Sequence, residues 1–227
     1  MSSPYFIVVL SAPSGAGKTS IAHGLMKRRK DVGFSISATT RAPRQGERDG
    51  RDYHFISRKR FMALKRKGKF LEYARYGGEW YGTLKSEIKR IHDLGRHVLL
   101  DIEVQGASRV RKAYPPPQSV SIFVLPPTPA ALLRRLKRRE SESLESLRRR
   151  LEIATSELIE AMSFDYSVVN DRLWDAVADV SMIVDAEEHR AIRNRALGKQ
   201  LRGMASFLRH QAKLIQARIN KKRKVEA

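Results

Sequence analysis

Tyr5-Phe6-Ile7-Val8-Val9-Leu10-Ser11 runs directly into Ala12-Pro13-Ser14-Gly15-Ala16-Gly17-Lys18-Thr19-Ser20, an unbroken apolar segment followed by a loop of small residues. A continuous apolar run bounded by turn residues predicts a strand buried on both faces. From Thr19 to Lys30 the apolar residues Ile21, Ala22, Leu25 and Met26 fall at helical spacing, and the basic end suits the negative pole of a helix. Strand, small-residue loop and helix in that order open a mononucleotide-binding α/β fold. Further buried strands are expected at His97 to Ile102, Val120 to Leu125 and Tyr166 to Val169, with a helix over about Ser86 to Leu94. Strands alternating with helices predict a mostly parallel sheet flanked by helices.

Ala12 to Thr19 has the spacing of a P-loop, with Ala12 where the general pattern has glycine. Small residues let successive backbone N–H groups turn inward around phosphates, and the helix N-terminus adds its positive pole. Lys18 can then reach the transferring phosphoryl group, and Thr19 can offer its hydroxyl to Mg2+. The plain alternative is an ordinary glycine-rich turn. The preceding strand, the Gly-Lys-Thr ending and the following helix together weigh against it. Val98-Leu99-Leu100-Asp101 is an apolar strand ending in a carboxylate. Downstream of a P-loop, Asp101 is the expected metal-side partner, acting through water. The ATP-binding expectation therefore covers Ala12, Pro13, Ser14, Gly15, Ala16, Gly17, Lys18, Thr19 and Ser20, and the metal expectation Thr19 and Asp101.

Two regions look inserted between the core elements. Gly33 to Gly82 carries several turn signals and short aromatic or β-branched segments, as a small mixed lobe would. Arg134 to Arg150 is an Arg/Glu/Ser-rich helical stretch suited to a mobile lid. Within the first, Ser35-Ile-Ser-Ala-Thr-Thr-Arg-Ala-Pro-Arg-Gln-Gly-Glu-Arg-Asp-Gly-Arg-Asp-Tyr53, Phe70-Leu71-Glu72-Tyr73 and Tyr81-Gly82-Thr83 resemble the guanylate kinase family, bacterial type. The likeness continues through Asp101-Ile102-Glu103-Val104-Gln105-Gly106 and the arginine-rich stretch, and covers about residues 5 to 186.

The resemblance implies a P-loop NTPase fold with an inserted nucleoside-monophosphate-binding lobe and a lid. It implies ATP-dependent phosphorylation of GMP, and of dGMP, in purine nucleotide metabolism, with Mg2+ accompanying ATP. The implied domain spans 4–186, with core 4–32, 84–133 and 151–186, GMP-binding lobe 33–83 and lid 134–150. Residues 187–227 form a basic helical extension. Arg41, Arg44, Tyr53 and Tyr81 match the family positions that hold the acceptor phosphate, and guanidinium forks with phenol donors suit a phosphate dianion. Ser37, Glu72, Thr83 and Glu103 match those that read guanine. A carboxylate at Glu72 accepting from the guanine N1–H and amino group would reject adenine, which lacks that paired donor edge. Arg135, Arg139 and Arg150 match lid arginines that close over the ATP phosphates, and Asn170 matches a position near the adenine. The catalytic expectation is Lys18, Arg41, Arg139 and Arg150, with no nucleophilic residue. Glu103 is one methylene longer than the family's usual aspartate, and Glu140 stands where glycine is common. Taken singly, Tyr53 or Tyr81 reads as a packed aromatic and the lid arginines as ion-pair partners of Glu142 and Glu145.

Composition sets the bounds. A chain of 227 residues with 41% apolar content can bury a substantial core. It has no cysteine, which removes disulfides, thiolate metal sites and cysteine nucleophiles and fits a reducing cytoplasm. No secretory leader and no membrane-spanning run is expected. The formal charge of +21 favours polyanionic partners such as nucleotides, nucleic acid or an anionic membrane face. Beyond Ala186 an interrupted apolar stripe through Ala191, Leu197, Leu201, Met204, Leu208 and Ile215 leads to Lys221-Lys222-Arg223-Lys224. Packing on the core, self-association as a homo-oligomer, nucleic-acid binding and a frayed basic helix all stand open for it. Three rival functions go with other classes: a catalytically dead module binding phosphopeptides, a P-loop kinase acting on a phosphorylated sugar, and a nucleic-acid-binding protein.

Overall fold

The computed structural model describes residues 5–137 and 144–225. It divides into two compact units, Met1–Asp185 and Ala186–Ala227. The first unit is built on five strands: β1 (Ile7–Ser11), β2 (Val32–Phe34), β7 (His97–Asp101), β8 (Ser119–Leu125) and β9 (Tyr166–Val169). They lie in the order β2-β7-β1-β8-β9, and every pairing is parallel. β1 sits in the middle and all five of its residues are buried, as its unbroken apolar run requires.

Successive side chains point to opposite faces of a strand, so β1 seeds two cores. Val8 and Leu10 pack with Ile21 and Leu25 of α1 (Lys18–Arg28) and with Val177 and Val180 of α7 (Leu173–Glu188). Ile7 and Val9 pack with Ile88 and Ile91 of α3 (Lys85–Asp93) and with Val110 of α4 (Val104–Ala113). The register Leu10↔Asp101 sets the end of β7 beside the start of the loop after β1. Open parallel sheets present their sites at this carboxyl edge.

A second sheet has the order β4-β3-β6-β5, formed by β3 (Ala38–Thr39), β4 (His54–Phe55), β5 (Phe70–Tyr76) and β6 (Glu79–Leu84). It is mixed, with β3 parallel to β4 and antiparallel to β6. α2 (Arg58–Arg66) covers it through Phe61, whose ring stacks on Phe70 with centroids 4.4 Å apart. α2 begins at a Ser57 cap that accepts from the Arg60 N–H. Helices α5 (Pro129–Lys137) and α6 (Leu144–Ile159) meet through Leu132, Leu136 and Ala154.

Three details differ from the sequence expectation. The first helix stops at Arg28 instead of Lys30, because Arg29 turns extended and its guanidinium is held by Asp31, at 2.6 Å, and by Asp185. Val32–Phe34 is a strand of the core sheet, although 33 and 34 were expected in the inserted lobe. Gly33 is required there, since a Cβ would come within 2.5 Å of the Ile91 side chain. The helices α5 and α6 run across the expected lid limits at 134 and 150. In the second unit, α8 (Arg195–Val225) is a helix of 31 residues, and Arg193 ahead of it pairs with Glu187 at 2.5 Å.

Candidate active site

The loop after β1 owes its shape to two residues in the left-handed region, Gly15 at φ 86° and Gly17 at φ 94°. At Gly17 a Cβ would also lie 2.3 Å from Asn170 Nδ2, so glycine is needed on both counts. The Ala16 N–H donates to the Pro13 carbonyl at 3.0 Å and closes the turn. The Ala16 carbonyl accepts from Asn170 Nδ2 at 2.7 Å and from Arg135 at 3.3 Å. Arg135 also donates to the Asn170 carbonyl at 3.0 Å.

At the mouth of this loop Lys18 Nζ lies 2.5 Å from Asp101 Oδ1, and the Thr19 hydroxyl donates to Asp101 Oδ2 at 2.7 Å. Burial alone would lower the lysine pKa, but the Asp101 and Glu103 carboxylates outweigh it and hold the pKa above its ordinary value. Lys18 is therefore charged at every working pH. A hydroxyl and a carboxylate converging at a helix N-terminus form a hard oxygen donor set that fits Mg2+.

A second cluster lies on the mixed sheet and the loop before it. Arg41 makes a two-pronged pair with Glu47, both contacts at 2.9 Å, and its guanidinium lies 5.4 Å from the Tyr53 ring centre. The Arg44 backbone N–H donates to the same Glu47 carboxylate at 2.7 Å. The Glu47 pair, with Tyr81, raises the Arg41 pKa further, and Arg41 and the Arg44 amide hold the Glu47 carboxyl below its usual range. The Tyr53 and Tyr81 rings meet edge to face at 6.0 Å. Burial, then the nearby Asp101 carboxylate, raises the Tyr53 pKa, so the phenol stays a donor. Tyr53 of this lobe thus stands within electrostatic reach of Lys18 and Asp101.

Glu72 is buried on β5, within electrostatic range of Lys18. Its Oε1 accepts from the Thr83 N–H at 3.0 Å and the Thr83 hydroxyl at 2.7 Å. Burial raises the Glu72 pKa, opposed by the Thr83 donors, Arg109 and Lys18. Gly106 of α4 backs the other oxygen, where a Cβ would come within 2.9 Å of Oε2. Helix α6 closes the group from another side. Arg150 is buried and donates to the Leu136 carbonyl at 3.1 Å and to the Ser14 hydroxyl at 3.3 Å. One turn pair further on, buried Glu157 faces the Ser14 N–H and the Glu103 carboxylate, while its Oε2 makes no hydrogen bond among the described residues. Burial, then Glu103, pushes the Glu157 pKa up to about 8.

Residues 6–187 match the family model described as guanylate kinase. The chain belongs to the guanylate kinase family. It is 47% identical over 188 residues to a guanylate kinase of Anaeromyxobacter dehalogenans, covering 82% of this chain and 83% of that one. It is 44% identical over 205 residues to a guanylate kinase of Thiobacillus denitrificans, covering 90% and 95%. The crystal structure of guanylate kinase from Anaplasma phagocytophilum superposes with a TM-score of 0.73 at 30% identity, over 89% of this chain and 96% of that chain.

Measured against the guanylate kinase pattern, the structure gathers Lys18, Thr19 and Asp101 in one cluster, Arg41, Tyr53 and Tyr81 in another, and Glu72 with Thr83 in a third. Asp101 engages Lys18 and Thr19 directly. Asn170 and Arg135 hold the back of the loop through the Ala16 carbonyl. Ser37 lies just ahead of β3, where its carbonyl accepts from His54 N at 2.9 Å, and the Arg44 side chain is exposed. Glu103 is exposed at the start of α4 and faces Glu157 and Lys18. Arg139, expected among the catalytic groups, and Glu140 lie outside the described residues. Sequence reasoning passed over Glu47, Gly106 and Glu157. For Glu47 the signal was an acid three and six residues after two arginines in a turn-rich segment. For Gly106 it was a glycine just after a strand end, in the first turn of a helix. Glu157 carried no separate signal, being one acid among several on a helix.

Proposed function

We propose that the chain transfers the terminal phosphoryl group of ATP to GMP, giving ADP and GDP. The observation that carries this reading is Glu72: a buried acceptor, fixed by Thr83, within electrostatic range of Lys18. A base-reading group and a phosphate-reading lysine within electrostatic range of each other suit a nucleoside monophosphate lying between them. With one oxygen held by Thr83, the carboxylate presents acceptor capacity to a purine bearing both a ring N–H and an exocyclic amine, which guanine has and adenine lacks.

Phosphoryl transfer asks a protein for alignment and charge neutralisation rather than covalent chemistry. Arg41, Arg44, Tyr53 and Tyr81 would hold the acceptor phosphate as guanidinium and phenol donors. Lys18 would take up charge on the transferring group, joined by Arg135, Arg150 and Arg139. The amides from Ala12 to Ser20 would cradle the donor phosphates, with Asn170 bracing the loop. Ser37 and Glu103 would contribute to the guanine edge. Thr19 and Asp101 would hold Mg2+, which neutralises phosphate charge when bound with ATP. dGMP is expected to serve as acceptor too, because the assigned residues read the base and the phosphate. A cytoplasmic role in purine nucleotide metabolism follows from these substrates.

The division into core 4–32, 84–133 and 151–186, GMP-binding lobe 33–83, lid 134–150 and extension 187–227 is offered as a functional partition, shifted at its edges by the core strand Val32–Phe34 and by the spans of α5 and α6, with closure of lobe and lid excluding water. The deciding experiment is ADP release from purified protein with MgATP and, in turn, GMP, dGMP, AMP, CMP, UMP and ribose 5-phosphate. Turnover with the guanine nucleotides alone is expected. Equal turnover with AMP or with ribose 5-phosphate would overturn the reading.

A further inference from the structure

Helix α8 holds ten Lys or Arg residues and no Asp or Glu in 31 residues, so it contributes +10 of the chain's +21. At 3.6 residues per turn, Leu197, Leu201, Met204, Leu208, Ala212, Ile215 and Ile219 recur every three or four positions and form one stripe. Lys199, Arg202, Arg209 and Lys213 recur on the opposite side. The stripe is open to solvent: Leu201 is 53% exposed, Leu208 63% and Ile215 57%, with Phe207 beside them at 62%. A long helix with an apolar stripe and a cationic back needs a partner offering both apolar depth and negative charge.

Among partners, the observations separate three. A second copy of the helix would carry the heptad seam onward from Leu208 to Gln211, Ile215 and Arg218, and would bring ten like charges against ten with no acid to pair. Duplex nucleic acid answers the charge but leaves the apolar stripe in water. A bilayer surface rich in anionic phospholipid answers both. No described helix is long and apolar enough to cross a membrane, so α8 would lie in the interface plane.

We propose that α8 is an interfacial helix that seats the protein on anionic phospholipid bilayers, its stripe through Leu201, Leu208 and Ile215 in the acyl boundary and its lysines and arginines at the headgroups. Each basic residue near such a surface is worth about fivefold in binding.

The test sediments the full chain with vesicles of phosphatidylcholine alone or of phosphatidylcholine and phosphatidylglycerol in equal parts. Binding to the anionic vesicles is expected to be tighter by about a hundredfold or more, and to weaken with salt. Leu201→Glu with Leu208→Glu is expected to cut it by about tenfold or more while GMP-dependent ADP release stays unchanged. Phe207→Trp reports depth: its emission, above the Trp80 and Trp174 background of the parent, is expected to shift to the blue only with anionic vesicles. Equal binding to both vesicle types overturns the proposal. So does full binding by the Leu201/Leu208 variant, which would mark a purely electrostatic contact. Binding to duplex DNA with none to anionic vesicles overturns it in favour of nucleic acid. Dimerisation that the Leu201/Leu208 variant abolishes, again without vesicle binding, overturns it in favour of self-association.

Discussion

The loop from Ala12 to Thr19 and the loop from Arg41 to Tyr53 both offer donors to phosphate, but they are held in shape by opposite means. The first is a backbone device. Two left-handed glycines set its path, and Asn170 and Arg135 fasten one of its carbonyls from behind. The second is a side-chain device in which Glu47 grips the Arg41 guanidinium and the Arg44 amide together. Backbone donors are fixed by the fold and lose little freedom on binding, whereas a side-chain site needs an internal counter-ion to hold its arginine ready. Damage to the first should therefore register in stability and turnover, and damage to the second in substrate affinity.

Four substitutions sharpen or break that contrast. Lys18→Ala is expected to lower kcat by about three orders of magnitude, with the melting temperature little changed, in ADP-release assays and thermal melts. Unaltered turnover would end the assignment of the phosphate loop. Glu72→Gln turns an acceptor into a mixed donor and acceptor facing the base, and is expected to lower kcat/KM for GMP by about a hundredfold and to shrink the preference over AMP. Glu47→Gln removes the charge that holds Arg41; a rise of about tenfold in the KM for GMP with kcat nearly kept is expected. A fall in kcat at constant KM would show instead that Glu47 acts on the transfer step. Gly17→Ala meets both the left-handed backbone and the Asn170 amide, and should cost about 2 kcal/mol of stability, seen as an earlier denaturant midpoint.

Glu157 gives a smaller and pH-dependent effect. Its pKa is about 8 in the folded protein against an ordinary 4.5, so the native state keeps a proton that the unfolded chain has already released. The stability that this group contributes is whole below 4.5, falls as pH rises and is lost by about 8. Glu157→Gln lacks this slope. The melting temperature of that variant relative to the parent should rise from pH 5 to pH 8 and then level off, and a flat difference would show that Glu157 is ionised in the fold.

Much of the frame was legible because its signals are long and redundant. β1, β7 and β8 are largely apolar runs buried almost throughout, whereas β9 lies at the sheet edge and buries only Val168 of its four residues, less than the buried strand expected there. β2 was missed because Val32-Gly33-Phe34 is three residues and gains its place only from packing on β7 and Ile91. β3 and β4 are two residues each, too short for any periodicity to register. α5 could have been bounded from sequence, since Thr128 accepts from the Ala131 N–H at 3.0 Å and Pro129 opens the helix. In the site, residues whose chemistry is intrinsic, such as Lys18, Arg41 and Glu72, stood out. Residues whose part depends on a neighbour did not. Gly106 matters only because Glu72 approaches it, and Glu157 only because α6 turns it toward Ser14.

The carbonyl of Ala16 is tied twice, by Asn170 from the end of the central sheet and by Arg135 from α5. The tie to the sheet is the shorter and is buried. If α5 lifts away during a catalytic cycle, the loop loses its second fastening and keeps its first. The cradle can thus stay moulded while the arm above it opens to discharge product, and successive rounds need not rebuild it.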